Sequence, residues 1–306
     1  MIRTSTVRLW WYRVQGRYAP YLFISPFLLL FLLFWAYPLV QSLRLSLYVT
    51  SGPASQVFVG LDNFRFLLSD PDFHLAVRNT LVYSFFAVGV QLPLSLGLAM
   101  LLNRPGLRWR NVFRFVFFSP HLMGTVFASV LFSLIFAPRF GLFNRLLHLL
   151  VGLPMNTRWL GDAELVMPAI VILSLWLNVG FYMIYFLAAL QAVSRDLYEA
   201  AWVDGAGPVT RFLHVTLPGI WPVMLFVIVI STIGSFRIFE LPWLLLQNTS
   251  GPDQSGLFIV TYLYQSGFET ADLGYASAIG WTLTVGVLLL TLIQLRLGGF
   301  GRGGGA

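Results

Sequence analysis

The 306-residue chain has no cysteine, and all nineteen of its cationic residues are arginine, so it has no lysine either. Without cysteine there is no disulfide, no thiolate metal site and no cysteine nucleophile. Without lysine there is no Schiff-base amine and no standard Walker A loop, whose lysine reaches the β/γ-phosphates; any nucleotide hydrolysis must come from a partner chain. Charge of either sign is scarce too. Charged residues make up 10% of the chain, where a soluble domain carries about 25%. So little polar surface cannot wrap a water-exposed globule, which excludes a soluble enzyme and a disordered scaffold.

What is abundant is apolar: 58% of residues, with a mean hydropathy of +0.78. Long apolar runs fall at Tyr18–Leu39, Thr80–Leu102, Phe115–Ala137, Leu165–Leu190, Ile220–Leu246 and Tyr275–Leu297. A helix rising about 1.5 Å per residue crosses a ~30 Å hydrocarbon core in about 20 residues, and each run is that long. The expectation is an all-α integral membrane protein with six transmembrane helices embedded in the lipid bilayer. The net charge of +7 would suggest nucleic acid in a soluble protein; here it reports basic loops, and nucleic acid is not expected as a partner. Arg3, Arg8, Arg13 and Arg17 precede the first run, Arg104, Arg108, Arg110 and Arg114 follow the second, and Arg195, Arg211, Arg296 and Arg302 lie on the same side. The opposite loops hold most of the acids: Asp62, Asp70, Asp72, Asp162, Glu164, Asp253, Glu269 and Asp272. The positive-inside rule then puts both termini in the cytoplasm. The first run is too long for a signal peptide and no small-residue cleavage site follows it, so it reads as an uncleaved anchor.

The segment between the fourth and fifth runs does not belong to lipid. Ser194 can cap a helix with Asp196 in its first turn, Gly205 can supply a left-handed stop, and Gly207-Pro208 can open a second short helix. Pro218 and Pro222 bracket the entry into the fifth run. The picture is a two-helix elbow flat against the cytoplasmic surface. An ordinary interfacial helix pair closing a loop has the same pattern. Against that, Ala200, Ala201 and Gly205 are small enough for another protein to approach the backbone, and Glu199 offers one charge for pairing.

The run Leu197-Tyr198-Glu199-Ala200-Ala201, then Asp204-Gly205-Ala206, then Val215-x-Leu217-Pro218, resembles the EAA motif of binding-protein-dependent ATP-binding-cassette (ABC) importer permeases, with valine where the family often has isoleucine. The likeness is to the carbohydrate-uptake branch, which includes the maltose and glycerol-phosphate permeases. It extends to Phe58-Val59-Gly60-Leu61-Asp62-Asn63-Phe64, Trp159-Leu160-Gly161-Asp162 and Asp272-Leu273-Gly274-Tyr275-Ala276-Ser277-Ala278. The resemblance implies a type I importer permease fold in a bacterial or archaeal plasma membrane. It implies that Glu199, Ala200, Ala201, Asp204, Gly205, Ala206, Leu217 and Pro218 form a coupling loop seated on a separate ATPase. It also implies a second homologous permease, two copies of the ATPase and an extracytoplasmic solute-binding protein. This chain would bind no cofactor, ATP and magnesium being used by the ATPase. The domains expected are a basic cytoplasmic segment (1–17), the first transmembrane helix with its extracytoplasmic loop (18–75), the permease core (76–297) containing the coupling loop (194–218), and a flexible glycine tail (298–306).

A pathway needs polar groups at mid-membrane depth, where they are costly unless they face a cavity or a neighbour. Ser174, Asn178 and Tyr182 form an i, i+4, i+8 stripe on the fourth run, and Ser231 and Ser235 an i, i+4 pair on the fifth, followed by Arg237 and Glu240. In the maltose-type relatives the fourth and fifth spans line the sugar site, which favours these faces. Each of these residues also suits helix–helix packing. Arg237 and Glu240, at i, i+3, can pair on one helix face, either as a structural lock or with Arg237 free to hold an anionic substrate such as a sugar phosphate. Gln91 beside Pro93 marks a kink in the second run. The histidines at 74, 121, 148 and 214 are scattered and show no metal-ligand spacing; His121 is expected near the cytoplasmic boundary as a packing residue, and His214 in the elbow. The G-x-G-x-x-G match at 299–304 has no strand before it, and Asn248-Thr249-Ser250 is a glycosylation acceptor only in a eukaryotic secretory pathway.

The reading is a permease subunit, itself no enzyme, that forms half of the route for a carbohydrate, polyol or sugar phosphate. The alternative is a self-contained secondary transporter or channel, which needs an internal repeat or a deep protonatable acid. No clear repeat is present, and Glu240 is the only acid well inside a run.

Overall fold

A computed structural model of the chain describes residues 4–52, 55–104 and 106–299. The proposed glycine tail from Phe300 onward lies outside the described residues. Helix α1 (Thr4–Phe31) passes through a π turn (Leu32–Ala36) into α2 (Tyr37–Leu45). Pro38 stands in the first turn of α2; a proline lacks the N–H and crowds the carbonyl four residues back, and the wider turn accommodates it. A two-stranded antiparallel hairpin follows, β1 (Tyr48–Thr50) with β2 (Gln56–Phe58), in the register Tyr48↔Phe58. Then come α3 (Asp62–Leu67), α4 (Pro71–Gly89), α5 (Gln91–Leu102), α6 (Arg110–Leu122), α7 (Thr125–Ile135), α8 (Leu142–Val151) and α9 (Ala163–Ala192). The C-terminal third holds α10 (Arg195–Val203), α11 (Pro208–Arg211), α12 (Leu217–Phe236), α13 (Glu240–Leu245), α14 (Ile259–Tyr264) and α15 (Leu273–Leu297).

Five helical stretches are long and apolar enough to cross a membrane: Tyr18–Leu45, Pro71–Leu102, Ala163–Ala192, Pro208–Phe236 and Leu273–Leu297. A sixth exists only if α6 and α7 count as one broken span, because they are bent by 97°. The break sits at Gly124, whose φ of +76° no helix accommodates, just after Pro120. The straight third helix expected over Phe115–Ala137 is therefore two pieces. The fifth expected run, Ile220–Leu246, is also corrected: α12 begins earlier, within the Pro208–Phe236 stretch, and ends at Phe236.

The described chain falls into two compact units. One comprises the described residues up to Phe66 with Ser266–Trp281, and the other Leu67–Gln265 with the described chain from Thr282. In the first, the Asp272 carboxylate accepts from the Thr50 backbone N–H (3.1 Å), the Thr50 hydroxyl (3.2 Å) and the Tyr275 N–H (3.0 Å). Asn63 donates to the carbonyls of Ser46 and Tyr48 at 2.9 and 2.8 Å. Two sequence runs that resemble the family, around Asn63 and Asp272, are thus parts of one hydrogen-bonded clasp around the hairpin.

The second unit is organised on α9. Its N-cap is Asp162, whose carboxylate accepts from the Glu164 N–H at 3.1 Å. Val166, Ala169, Ile170 and Leu173 are fully buried in one cluster, and Met183, Phe186 and Leu187 are buried in a second. Lipid is as apolar as leucine, so close packing and hydrogen bonds must hold such helices together. Gly180 shows the packing: a Cβ there would sit 1.7 Å from the Phe117 carbonyl oxygen of α6. Ser95 of α5 shows the bonding, its hydroxyl donating to the Val179 carbonyl of α9 at 2.9 Å.

Candidate functional site

The elbow forms as its local chemistry dictates. The Ser194 hydroxyl accepts from the Asp196 N–H at 3.2 Å, which starts α10. At the other end Gly205 has φ +76°, the Ala206 N–H donates to the Ala201 carbonyl (2.9 Å) and the Gly205 N–H to that of Trp202 (3.0 Å). These are the two bonds of a Schellman stop, which needs a left-handed residue at the glycine position. An added Cβ at Gly205 meets nothing within 4 Å, so backbone conformation rather than space demands glycine. Gly207 then caps α11, with Pro208 at its first position.

Glu199, Ala200, Asp204 and Gly205 are exposed, and Ala201 and Ala206 half-buried. Glu199 makes no hydrogen bond or ion pair among the described residues, and Trp202 and Val203, three and four positions on, share its outward side at 69% and 80% exposure. Sequence reasoning did not single out these two apolar side chains. Their signal was their spacing from Glu199. On the inner side the Tyr198 hydroxyl bonds the Thr216 hydroxyl at 2.9 Å, bracing α10 against the next segment.

The second limb differs from expectation. Helix α11 runs through a π turn (Phe212–Thr216) directly into α12, so the second short helix expected from Pro208 is instead the first turn of the continuous Pro208–Phe236 stretch, with Leu217 and Pro218 at the start of α12. Pro218 follows the π turn by two residues, as Pro38 follows its own. His214 lies on this turn, its Nδ1 3.0 Å from the Thr210 carbonyl oxygen.

In the membrane-spanning part most of the polar stripe is spent on packing. The Ser174 hydroxyl pairs with the Tyr83 hydroxyl at 2.7 Å, Tyr182 is buried and faces Ser231, and Ser235 donates to the Thr232 carbonyl at 2.8 Å. Asn178 differs: it is half-buried, its Nδ2 donates to the Ser174 carbonyl (3.0 Å), and its Oδ1 has no hydrogen bond among the described residues. One turn on, the Phe181 ring stacks on His121 with centroids 4.3 Å apart. His121 lies eleven residues into α6, roughly 16 Å along it, close to the break between α6 and α7. Phe181 was not singled out from sequence; a phenylalanine among 28 carries no signal until its neighbour is known. Gln91 is buried with its Oε1 unsatisfied.

Arg237 and Glu240 do not share a helix face. Arg237 caps α12 with φ −97° and ψ 11°, and α13 starts only at Glu240. Both are exposed, and the ion pair found among the described residues is Arg65–Asp62 instead. The C-terminus of α12 favours the Arg237 cation without any carboxylate. No cluster of metal-ligating side chains is present among the described residues.

Residues 89–298 match the family described as binding-protein-dependent transport system inner membrane component. The chain is 41% identical to the arabinooligosaccharides transport system permease protein AraP of Bacillus subtilis over 94% of its own length and 90% of the relative's. It is 34% identical to the lactose transport system permease protein LacF of Rhizobium radiobacter, covering 93% and 94%. Among solved structures, a bacterial ABC transporter that imports the acidic polysaccharide alginate superposes with a TM-score of 0.82 at 26% identity, covering 95% of this chain and 98% of that one. A second alginate transporter structure, in complex with an alginate pentasaccharide-bound periplasmic protein, gives 0.81 at 25% identity, covering 94% and 96%.

Proposed function

From the fact that this chain belongs to the binding-protein-dependent transport system inner membrane components, we infer that it forms half of the translocation route of an ATP-driven sugar importer and is driven through its elbow. It is a multi-pass membrane protein of the sugar-permease branch, a transport component and not an enzyme. In this reading α6 and α7 together make the third of six spans, both termini are cytoplasmic, and the membrane is the plasma membrane of a prokaryote. A homologous second permease completes the route, two ATPase copies bind ATP and magnesium and sit on the elbows, and an extracytoplasmic binding protein delivers the solute.

One observation carries the coupling role: Glu199 is exposed and unpaired on a helix closed by a Schellman stop, beside exposed Trp202 and Val203. A lone carboxylate flanked by apolar surface suits a protein cleft, and the short braced helix transmits displacement into α12 through the Tyr198–Thr216 bond. Closure of the ATPases would shift α10, and α12 would follow as a continuous helix. For the solute, Asn178 supplies a half-exposed amide and the Phe181–His121 stack an aromatic face for a sugar ring. Ser174, Tyr182, Ser231 and Ser235 hold that wall in place. The substrate is a carbohydrate or related polyol, and Arg237 provides a cation for a phosphorylated or acidic one.

The test is co-purification with the subunits encoded beside this chain, followed by Glu199→Lys. The wild type should bring down an ATPase and take up the sugar carried by the accompanying binding protein. The variant should lose uptake while still receiving the loaded binding protein. Uptake by the chain alone, without an ATPase, would overturn the reading.

A further inference from the structure

Helix α8 has two apolar sides, and only one is covered. Inward, Phe143 packs edge-on to Phe136 and Trp159, with centroids 5.2 and 5.0 Å apart, and Leu147 joins the same cluster. Buried Asn144 fixes that orientation. Its Nδ2 donates to the carbonyls of Met155 (3.2 Å) and Thr157 (2.8 Å), and its Oδ1 accepts from the Trp159 indole at 2.7 Å. The helix is clamped to its own return loop and cannot roll to hide its other side. That side is Leu142, Leu146, Leu149 and Leu150, at i, i+4, i+7 and i+8, which are 51–77% exposed. Each leucine left in water forgoes about 1.5–3 kcal/mol, so this stripe has an occupant.

Three features identify it. First, α7 ends at Ile135, only six residues before α8, and its own exposed side chains Phe127, Val130 and Leu134 bring a lipid-compatible surface up to that point. Second, α8 has ten residues, about 15 Å of helix, which is too short to cross the hydrocarbon core and long enough to lie along it. Third, the exposed cations Arg139 and Arg145, with His148, flank the stripe, and the segment from Phe136 to Gly161 contains no acid. Leucines bordered by arginines, with no carboxylate, fit acyl chains bordered by phosphates.

We propose that α8 is an interfacial helix: its leucine side lies in the bilayer leaflet where the third span ends, and Arg139, Arg145 and His148 sit among the headgroup phosphates. This rests on the reading of α6 and α7 as the third span and is independent of the coupling role of the elbow. So anchored, α8 holds the outer end of the broken third span while the bend at Gly124 stays free to change.

The chain's lack of cysteine makes the test clean. Leu146→Cys and Leu149→Cys would each be nitroxide-labelled in the complex reconstituted with its co-encoded subunits in phosphatidylethanolamine/phosphatidylglycerol vesicles. Collision with oxygen, which partitions into lipid, would be compared with collision with a water-soluble nickel chelate. The proposal expects oxygen to dominate several-fold at both leucine positions and the ratio to reverse at Arg145→Cys and His148→Cys. Nickel access at the leucine positions would show an aqueous face, and low access to both reagents a face covered by protein; either result overturns the proposal. Leu142→Cys and Leu150→Cys read the same stripe, so failure of one variant to assemble does not remove the test.

Discussion

Asp272 and Thr50, 222 residues apart, are joined by two hydrogen bonds through one carboxylate oxygen, one from the Thr50 N–H and one from its hydroxyl. The same Thr50 hydroxyl accepts from the Gly274 N–H at 3.1 Å, and a Cβ on Gly274 would lie 1.8 Å from the Tyr48 carbonyl. The start of α15 is thus locked to the hairpin by groups that leave no room for substitution.

Asp272→Ala should cost about 2–3 kcal/mol, because charge-assisted bonds are worth roughly 1.5–3 kcal/mol and the donors are left without their acceptor. The measurement is the thermal midpoint of the purified complex in detergent. A double-mutant cycle with Thr50→Val should show coupling above about 0.5 kcal/mol; additivity would mean the clasp does not act as a unit.

Gly180→Val should destabilise the bundle by about 1–3 kcal/mol or more, since α6 must move away from α9 to admit the side chain. Gly234→Ala, where an added Cβ meets nothing within 4 Å, is the control and should leave the midpoint unchanged.

At Gly205 the effect is conformational. Gly205→Val forces a β-branched residue into φ +76° and should cost about 1–3 kcal/mol, unravelling the end of α10 and weakening ATPase co-purification. Gly205→Asn, which tolerates the left-handed region, should recover most of both. Equal loss with Asn and Val would mean that the side chain's bulk, and not the backbone, is at fault.

Asn144→Leu removes the acceptor of the Trp159 indole and the donor to two carbonyls. A loss of about 2–4 kcal/mol is expected, together with a blue-to-red shift of tryptophan emission as Trp159 loosens.

Glu240→Gln should leave the thermal midpoint where it is, because Glu240 is exposed and makes no ion pair with Arg237. A drop comparable to that of Asp272→Ala would show that a lock between them forms in the assembled transporter.

Membrane residence, the elbow's caps and the family itself were legible in residue order, because each depends on local quantities. A twenty-residue apolar run must be satisfied within its own helix, Ser194 caps the helix that begins at the next residue by accepting from the N–H two residues on, and Gly205 alone at its position enters the left-handed region without cost. The Asn63 and Asp272 runs were legible as signatures but not as one clasp, since their partners lie 15 to 222 residues away.

The remainder was decided in three dimensions. Apolar composition is blind to a 97° bend, so Phe115–Ala137 read as one straight helix until Gly124 and the packing around it broke it. An i, i+3 pair is a pair only if the helix continues, and α12 stops at Phe236, between the run's start and Glu240. Which polar residues of a stripe are satisfied by a neighbouring helix depends on the side each helix takes: Tyr83 claimed Ser174, and among the described residues no donor reaches the Asn178 oxygen. Sequence therefore determined the solvent, the helices and their local stops, whose energies are set within a few residues. Tertiary structure alone decided the breaks and the burial of each polar group, because those energies arise between residues that the chain does not place side by side.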